Sequence, residues 1–146
     1  MRPLRKSAAD KSITVVRRTK ADCRLRIDPE KIAQAFTNIL SNAIKFTPED
    51  SRIEIDAEFT GTGGLSVIIR DNGSGIAADK IDRMLQPFGQ AETQLMRHGA
   101  LGLGLPIARA LIRMHGGDLT LTSEVDKGTT AAVALPPERV LRPAAC

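Results

Sequence analysis

The spacing of apolar positions divides the chain into short strands and two long helices. From Pro29 to about Phe46, apolar residues recur at intervals of three and four: Ile32, Ala35, Phe36, Ile39, Leu40, Ala43 and Ile44. That period predicts one helix with a broad stripe on a core. Asp28 is suited to its N-cap, with Pro29 at the first helical position, and Pro48 stops it. Arg52 to Phe59 alternates instead, with Ile53, Ile55, Ala57 and Phe59 on one face and charge on the other, which predicts a half-buried strand. The Gly-rich turn at 60–64 leads into a return strand from Leu65 to Arg70. Shorter strands are expected at Ile13–Arg18 and Cys23–Ile27. The second long helix runs from Leu105 to His115 and ends at Gly116-Gly117. A last hairpin pairs Asp118–Ser123 with Thr129–Leu135.

Between 71 and 104 the texture differs. Glycines are frequent, apolar groups are short, and one short helix is expected near Asp79–Leu85. A connection this long inside a compact domain suits an active-site lid. The order β-β-α-β-β-lid-α-β-β predicts an α/β (α+β) two-layer sandwich: one mixed, mostly antiparallel sheet with helices on one face. Residues 1–12 read as a mobile basic lead-in or stump, 13–136 as one domain, and 137–146 as a loose tail.

Composition narrows the function. The chain has 146 residues, 42% of them hydrophobic and 26% charged, as in ordinary globular proteins. No apolar run is long enough to span a bilayer, so no direct membrane insertion is expected. Residues 1–30 carry a net charge of +5 and the remainder −1, so the basic character belongs to the lead-in. With no Trp, no Tyr and four Phe, a nucleic-acid surface built on stacking is not expected. Two cysteines, Cys23 and Cys146, make neither a disulfide framework nor a metal knuckle, which fits a reducing cytoplasmic setting.

Three constellations carry chemistry. Asn38, Asn42 and Lys45 stand at i, i+4 and i+7 on the first helix, so they share a face beside the apolar stripe. Amide oxygens can ligate Mg²⁺ and an ammonium can neutralise phosphate. Asp71-Asn-Gly73-Ser-Gly75-Ile76 follows a strand; Asp71 can accept the exocyclic amine of a base, and glycines allow close approach. His98-Gly-Ala-Leu-Gly102-Leu103-Gly104-Leu105 enters the second helix, where unpaired N–H groups make an anion site. Neither the nucleotide P-loop nor the dinucleotide fingerprint is present. His98 reads as a loop residue, and His115 as a helix-terminal residue bonding the last carbonyls. Together the three sets point to Mg²⁺ and ATP.

Those residues also carry a family resemblance. Gln34 to Thr47 resembles the N box of the catalytic and ATP-binding domain of bacterial sensor histidine kinases. Asp71 to Gly75 resembles its G1 box, Leu85 to Phe88 its F box, Gly102 to Leu105 its G2 box, and Gly128 to Thr130 its final Gly-Thr element. The resemblance spans about residues 13–136. It implies the Bergerat ATP-binding fold shared with gyrase, Hsp90 and MutL. It further implies Asn42 as principal Mg²⁺ ligand with Asn38 assisting, Lys45 near the phosphates, and Asp71 on the adenine amine. Gly73, Gly75 and Ile76 would shape the adenine pocket and Phe88 would anchor the lid, about 76–101. Gly102, Leu103, Gly104 and Leu105 would hold the phosphate tail, and Thr130 would sit at the adenine end. By the resemblance, the γ-phosphoryl of ATP passes to a histidine on a dimerisation hairpin, leaving ADP, and a response regulator follows.

The hairpin's His box is absent here. ATP binding without autophosphorylation is therefore expected of this chain, in a monomer, from a homodimeric parent that can be anchored in the inner membrane with this domain in the cytoplasm. The neighbours of this reading are a protein-serine kinase of the anti-sigma-factor type and a non-catalytic module of the same fold. ATP-hydrolysing relatives carry Glu where this chain has Asn38. An amide cannot act as general base, which favours phosphoryl transfer over hydrolysis. Ala100 stands where the family often has Thr or Ser, which removes one phosphate contact.

Overall fold

A computed structural model describes residues 13–17, 23–73, 75, 77, 80–81, 85 and 104–141. The elements are β1 (Thr14–Arg17), β2 (Arg24–Leu25), α1 (Pro29–Phe46), β3 (Arg52–Phe59), β4 (Leu65–Asp71), α2 (Gly104–Met114), β5 (Asp118–Glu124) and β6 (Gly128–Leu135). A 3₁₀ turn (Pro137–Arg139) and β7 (Val140–Leu141) follow. Five strands form one sheet in the order β1-β3-β4-β6-β5. Only β1 and β3 run parallel; the other three pairings are antiparallel.

Both helices lie on one face of this sheet. Strand alternation sends Ile53, Ile69, Leu119 and Val133 to that face, where they are almost fully buried with Ile39 of α1 and Leu105 and Ile112 of α2. The opposite face carries Arg70 and Thr122 at exposed positions. This is the two-layer architecture that the spacing predicts.

Local chemistry sets the helix limits. The Asp28 carboxylate accepts from the Glu30 and Lys31 amides at 3.1 and 3.3 Å, capping α1. At its far end the Thr47 hydroxyl donates to the Ala43 carbonyl and the backbone turns extended before Pro48. The expected stripe is the observed one: Ile32, Ala35, Ile39, Leu40, Ala43 and Ile44 are buried, with Phe36 packed at the margin. α2 ends as expected at Gly116-Gly117, whose amides return to the Arg113 and Ile112 carbonyls at 2.9 and 3.1 Å.

Two expectations change. The strand expected at Cys23–Ile27 reduces to Arg24–Leu25, and it does not join the sheet. It pairs antiparallel with Val140–Leu141 instead. The tail expected to be loose from residue 137 is therefore ordered through Leu141. The Arg26 amide donates to the Arg139 carbonyl at 2.7 Å, and the Arg139 guanidinium to the Arg26 carbonyl at 3.1 Å. Pro137 starts a 3₁₀ turn that delivers β7 to its partner. Residues 142–146 and the lead-in 1–12 lie outside the described residues. Lys80, Ile81 and Leu85, inside the expected short helix, are helical.

Candidate functional site

Asp71 closes β4 on the helix-facing side, because it shares parity with Leu65 and Ile69. Its side chain is buried, and Oδ1 accepts from the Gly73 amide at 2.9 Å and the Thr129 amide at 3.2 Å. Among the described residues, Oδ2 accepts no hydrogen bond. Burial raises the Asp71 pKa above the usual carboxylate value; the Gly73 and Thr129 amides pull the other way without cancelling it. The result is a fixed carboxyl with one oxygen committed to the fold and one open to a donor.

The loop after Asp71 is held by two close backbone approaches. At Gly75, φ is +75°, and a Cβ would stand 2.0 Å from the Glu124 carbonyl oxygen. At Gly128, φ is +110°, and a Cβ would stand 2.1 Å from the Asp71 carbonyl oxygen. Any L-residue there meets both strain and collision. The close approach that Gly75 allows is taken up by the β5–β6 turn. Gly73 keeps its place beside Asp71 through its amide.

The Gly-Thr element also shifts by one residue. Thr130 pairs with Arg70 and with Thr122, so its side chain shares the helix-free face with theirs. Thr129 is buried on the Asp71 side, donates its amide to that carboxylate, and shares a 2.8 Å hydroxyl contact with Ser123. The period-2 parity of β6, fixed by buried Ala131, Val133 and Leu135, was the signal that separates the two threonines.

On α1, Asn38 and Asn42 project one turn apart. Asn42 is buried, and among the described residues its amide has no hydrogen-bond partner. An unpartnered buried amide is costly and unusual, and it suits a group that supplies a ligand's missing bonds. Lys45 lies one turn further within the same helix.

The start of α2 meets this face: a Cβ on Gly104 would stand 3.8 Å from the Asn38 Cβ. The third sequence set is thereby brought to the first. Leu105 is 2% exposed, so its side chain belongs to the core and only its amide is offered to an anion. Pro106 carries no N–H, which leaves the amides of Gly104, Leu105 and Ile107 in that first turn. Ile76, Phe88, His98, Gly102 and Leu103 lie outside the described residues, as does most of the expected lid.

His115 plays a larger part than its sequence suggested. It is buried, and its Nδ1 is 2.8 Å from the Leu111 carbonyl, the expected bond to a late helical carbonyl. Its Nε2 also accepts from the Asp28 amide at 3.1 Å, at the cap of α1. Nothing local in the sequence announces that bond, which spans 87 positions.

A polar cavity of about 450 Å³ borders Asp71 and Gly128 and is lined further by Arg52, Glu54, Arg70, Thr122, Lys127 and Thr130. It does not include Asn38, Asn42 or the start of α2. Among the described residues, no group of three His, Cys, Asp or Glu could hold a metal. A cation here would depend on amide oxygens and on oxygens carried in by a ligand.

The family model described as histidine kinase-, DNA gyrase B- and HSP90-like ATPase matches residues 27–139. The chain belongs to this family. Its fold and the resemblance of its motifs agree with that membership. It is 39% identical over 145 residues to the autoinducer 2 sensor kinase/phosphatase LuxQ of Vibrio harveyi, covering 92% of this chain and 17% of LuxQ. It is 35% identical over 114 residues to the histidine protein kinase DivJ of Caulobacter vibrioides, covering 77% of this chain and 19% of DivJ. The chain thus spans less than a fifth of these relatives. The solved catalytic domain of histidine kinase ThkA superposes with a TM-score of 0.77 at 28% identity, covering 93% of this chain and 88% of that one. The match to a domain of equal size identifies the ATP-binding catalytic domain of the sensor histidine kinase type.

Proposed function

We propose that this domain binds ATP with Mg²⁺ and, within a longer protein, transfers the γ-phosphoryl group to a histidine on a dimerisation hairpin. The observation that carries the proposal is the pairing of two unfinished polar groups on one face of the sheet. Asp71 has an open buried oxygen, and Asn42 a buried amide without a partner among the described residues.

Asp71 Oδ2 would accept the adenine amine, with Thr129 rather than Thr130 beside it. Asn42 and Asn38 would offer amide oxygens to Mg²⁺, and Lys45 would neutralise phosphate charge. The free amides at the start of α2, with Gly102 and Leu103 before them, would hold the phosphate tail. Phe88 and Ile76 would close the pocket from the lid. Mg²⁺, when bound, spreads the charge that develops on the transferring phosphoryl oxygens.

The acceptor histidine nitrogen would attack the γ-phosphorus as its bond to the bridging oxygen breaks, and ADP leaves with that oxygen. Asn38 cannot take a proton from water, so the site supports transfer rather than hydrolysis. The phosphoryl group would then pass to a response regulator. No helix among the described residues is long and apolar enough to cross a membrane. We place the domain on the cytoplasmic side of its parent, monomeric alone and dimeric through the parent.

Titration calorimetry of the full 146-residue chain with a non-hydrolysable ATP analogue, with and without Mg²⁺, tests the proposal. Micromolar binding that Mg²⁺ strengthens is expected. A folded chain that binds neither form refutes it.

A further inference from the structure

We infer that His115 is a positioning residue for the nucleotide site: its Nε2 pins the N-terminus of α1 to the C-terminus of α2 and so fixes where Asn42 stands. This rests on the nucleotide reading above. Two contacts define the tie. Asp28 at the head of α1 donates its amide to His115 just beyond the end of α2. Asn38, midway along α1, meets Gly104 at the start of α2. Ten residues separate Asp28 from Asn38, and eleven separate Gly104 from His115. At 1.5 Å per helical residue, both spans are about 15 Å. The helices therefore lie antiparallel, tied near both ends of α2, and α1 is located by two points rather than one.

The tie is directional. With Nδ1–H donating to the Leu111 carbonyl at 2.8 Å, Nε2 carries no hydrogen and can accept from Asp28. One ring thus serves its own helix through Nδ1 and the neighbouring helix through Nε2. Losing the second arm frees the head of α1 to pivot about the Gly104 contact. A 1 Å movement at the head then carries Asn42, about 6 Å beyond the pivot, by about 0.4 Å. Ligand-to-metal distances tolerate about 0.2 Å. The phosphate end of the site, not the adenine end, should feel the loss.

Two variants separate the arms. His115→Asn retains a donor near Nδ1 for Leu111 but cannot reach Asp28. His115→Gln retains an acceptor near Nε2 for Asp28 and gives up the Leu111 bond. Each loses one buried hydrogen bond, so a merely structural role predicts similar melting temperatures and similar ligand affinities for the two. Positioning predicts similar melting temperatures, but a loss of about tenfold in Mg²⁺-dependent affinity for a non-hydrolysable ATP analogue in His115→Asn alone. A second readout needs no nucleotide: the side-chain amide resonance of Asn42 should move in His115→Asn and hold in His115→Gln. Equal affinities and equal amide shifts in both variants overturn the inference. If the wild-type chain binds no nucleotide, the functional reading falls while the amide resonances still decide the positioning.

Discussion

Replacing Asp71 with Asn tests the adenine contact with little disturbance of the fold. The Asn oxygen can keep the Gly73 and Thr129 amides that Oδ1 holds at 2.9 and 3.2 Å. The amide nitrogen then stands where Oδ2 was, a donor facing the donor of adenine. A hydrogen bond to a charged group contributes about 1.5–3 kcal/mol, so ATP affinity should fall about 10- to 150-fold at 1.4 kcal/mol per decade. Guanine presents an acceptor at the same edge, so the ATP-to-GTP preference should fall further than ATP affinity alone. Calorimetry with non-hydrolysable ATP and GTP analogues reads both quantities. The wild type should also lose ATP affinity as pH falls through a range above 3.8, because its folded-state carboxyl takes up a proton early. The variant should not. For stability the sign reverses: a raised folded pKa means that ionised Asp71 subtracts stability at neutral pH and returns it as pH falls. The variant should therefore hold its melting temperature at pH 7. An Asp71→Asn chain that melts normally and binds ATP as the wild type does would refute the adenine role.

Other substitutions probe the rest of the site and its frame. Asn42→Ala removes an amide that has no partner among the described residues, so the fold should be unchanged while calorimetry shows the Mg²⁺ enhancement gone; retained enhancement would exclude Asn42 as a ligand. Gly128→Ala places a Cβ 2.1 Å from the Asp71 carbonyl oxygen at φ +110°. The backbone strain alone costs about 1–3 kcal/mol, and thermal unfolding should fall accordingly; an unchanged midpoint would contradict the described loop. Asp118 binds Arg109 and Arg113 at 3.2 and 3.1 Å. Its burial works against ionisation, yet the two guanidiniums hold its pKa below the ordinary value. At a half-exposed site Asp118→Asn should cost about 1 kcal/mol or less at pH 7. That difference should be lost as pH falls below 3.8 through the folded pKa, and a denaturation series in which it persists at pH 2 would remove the ion pairs as its cause.

Periodic features were legible in the sequence. The stripe of α1 and the alternation of β3 each report a single element burying one face, and both stand as expected. The Asp28 cap and the Gly116-Gly117 stop were legible for the same reason: their bonds close within a few residues. What the spacing left unread depends on distant partners. Arg24–Leu25 has the alternation of a strand, but nothing near it says that Val140–Leu141 is its partner. The place of His115 at a helix end is legible, while its bond to Asp28 requires two helices to be docked first. Thr129 and Thr130 both follow Gly128, and only the buried parity of β6 tells them apart. At Gly75 a missing Cβ is visible in the sequence, and the backbone that fills its place is not.

The ribbon of β2 and β7 has a consequence for how this domain can be built into larger chains. Arg24 and Leu141 are register partners, and paired antiparallel residues have Cα atoms about 5 Å apart. The chain leaving β7 is therefore stitched to the segment that joins β1 of the sheet to α1. Whatever follows β7 starts beside the head of α1, and a twist of that short ribbon would turn it relative to the sheet.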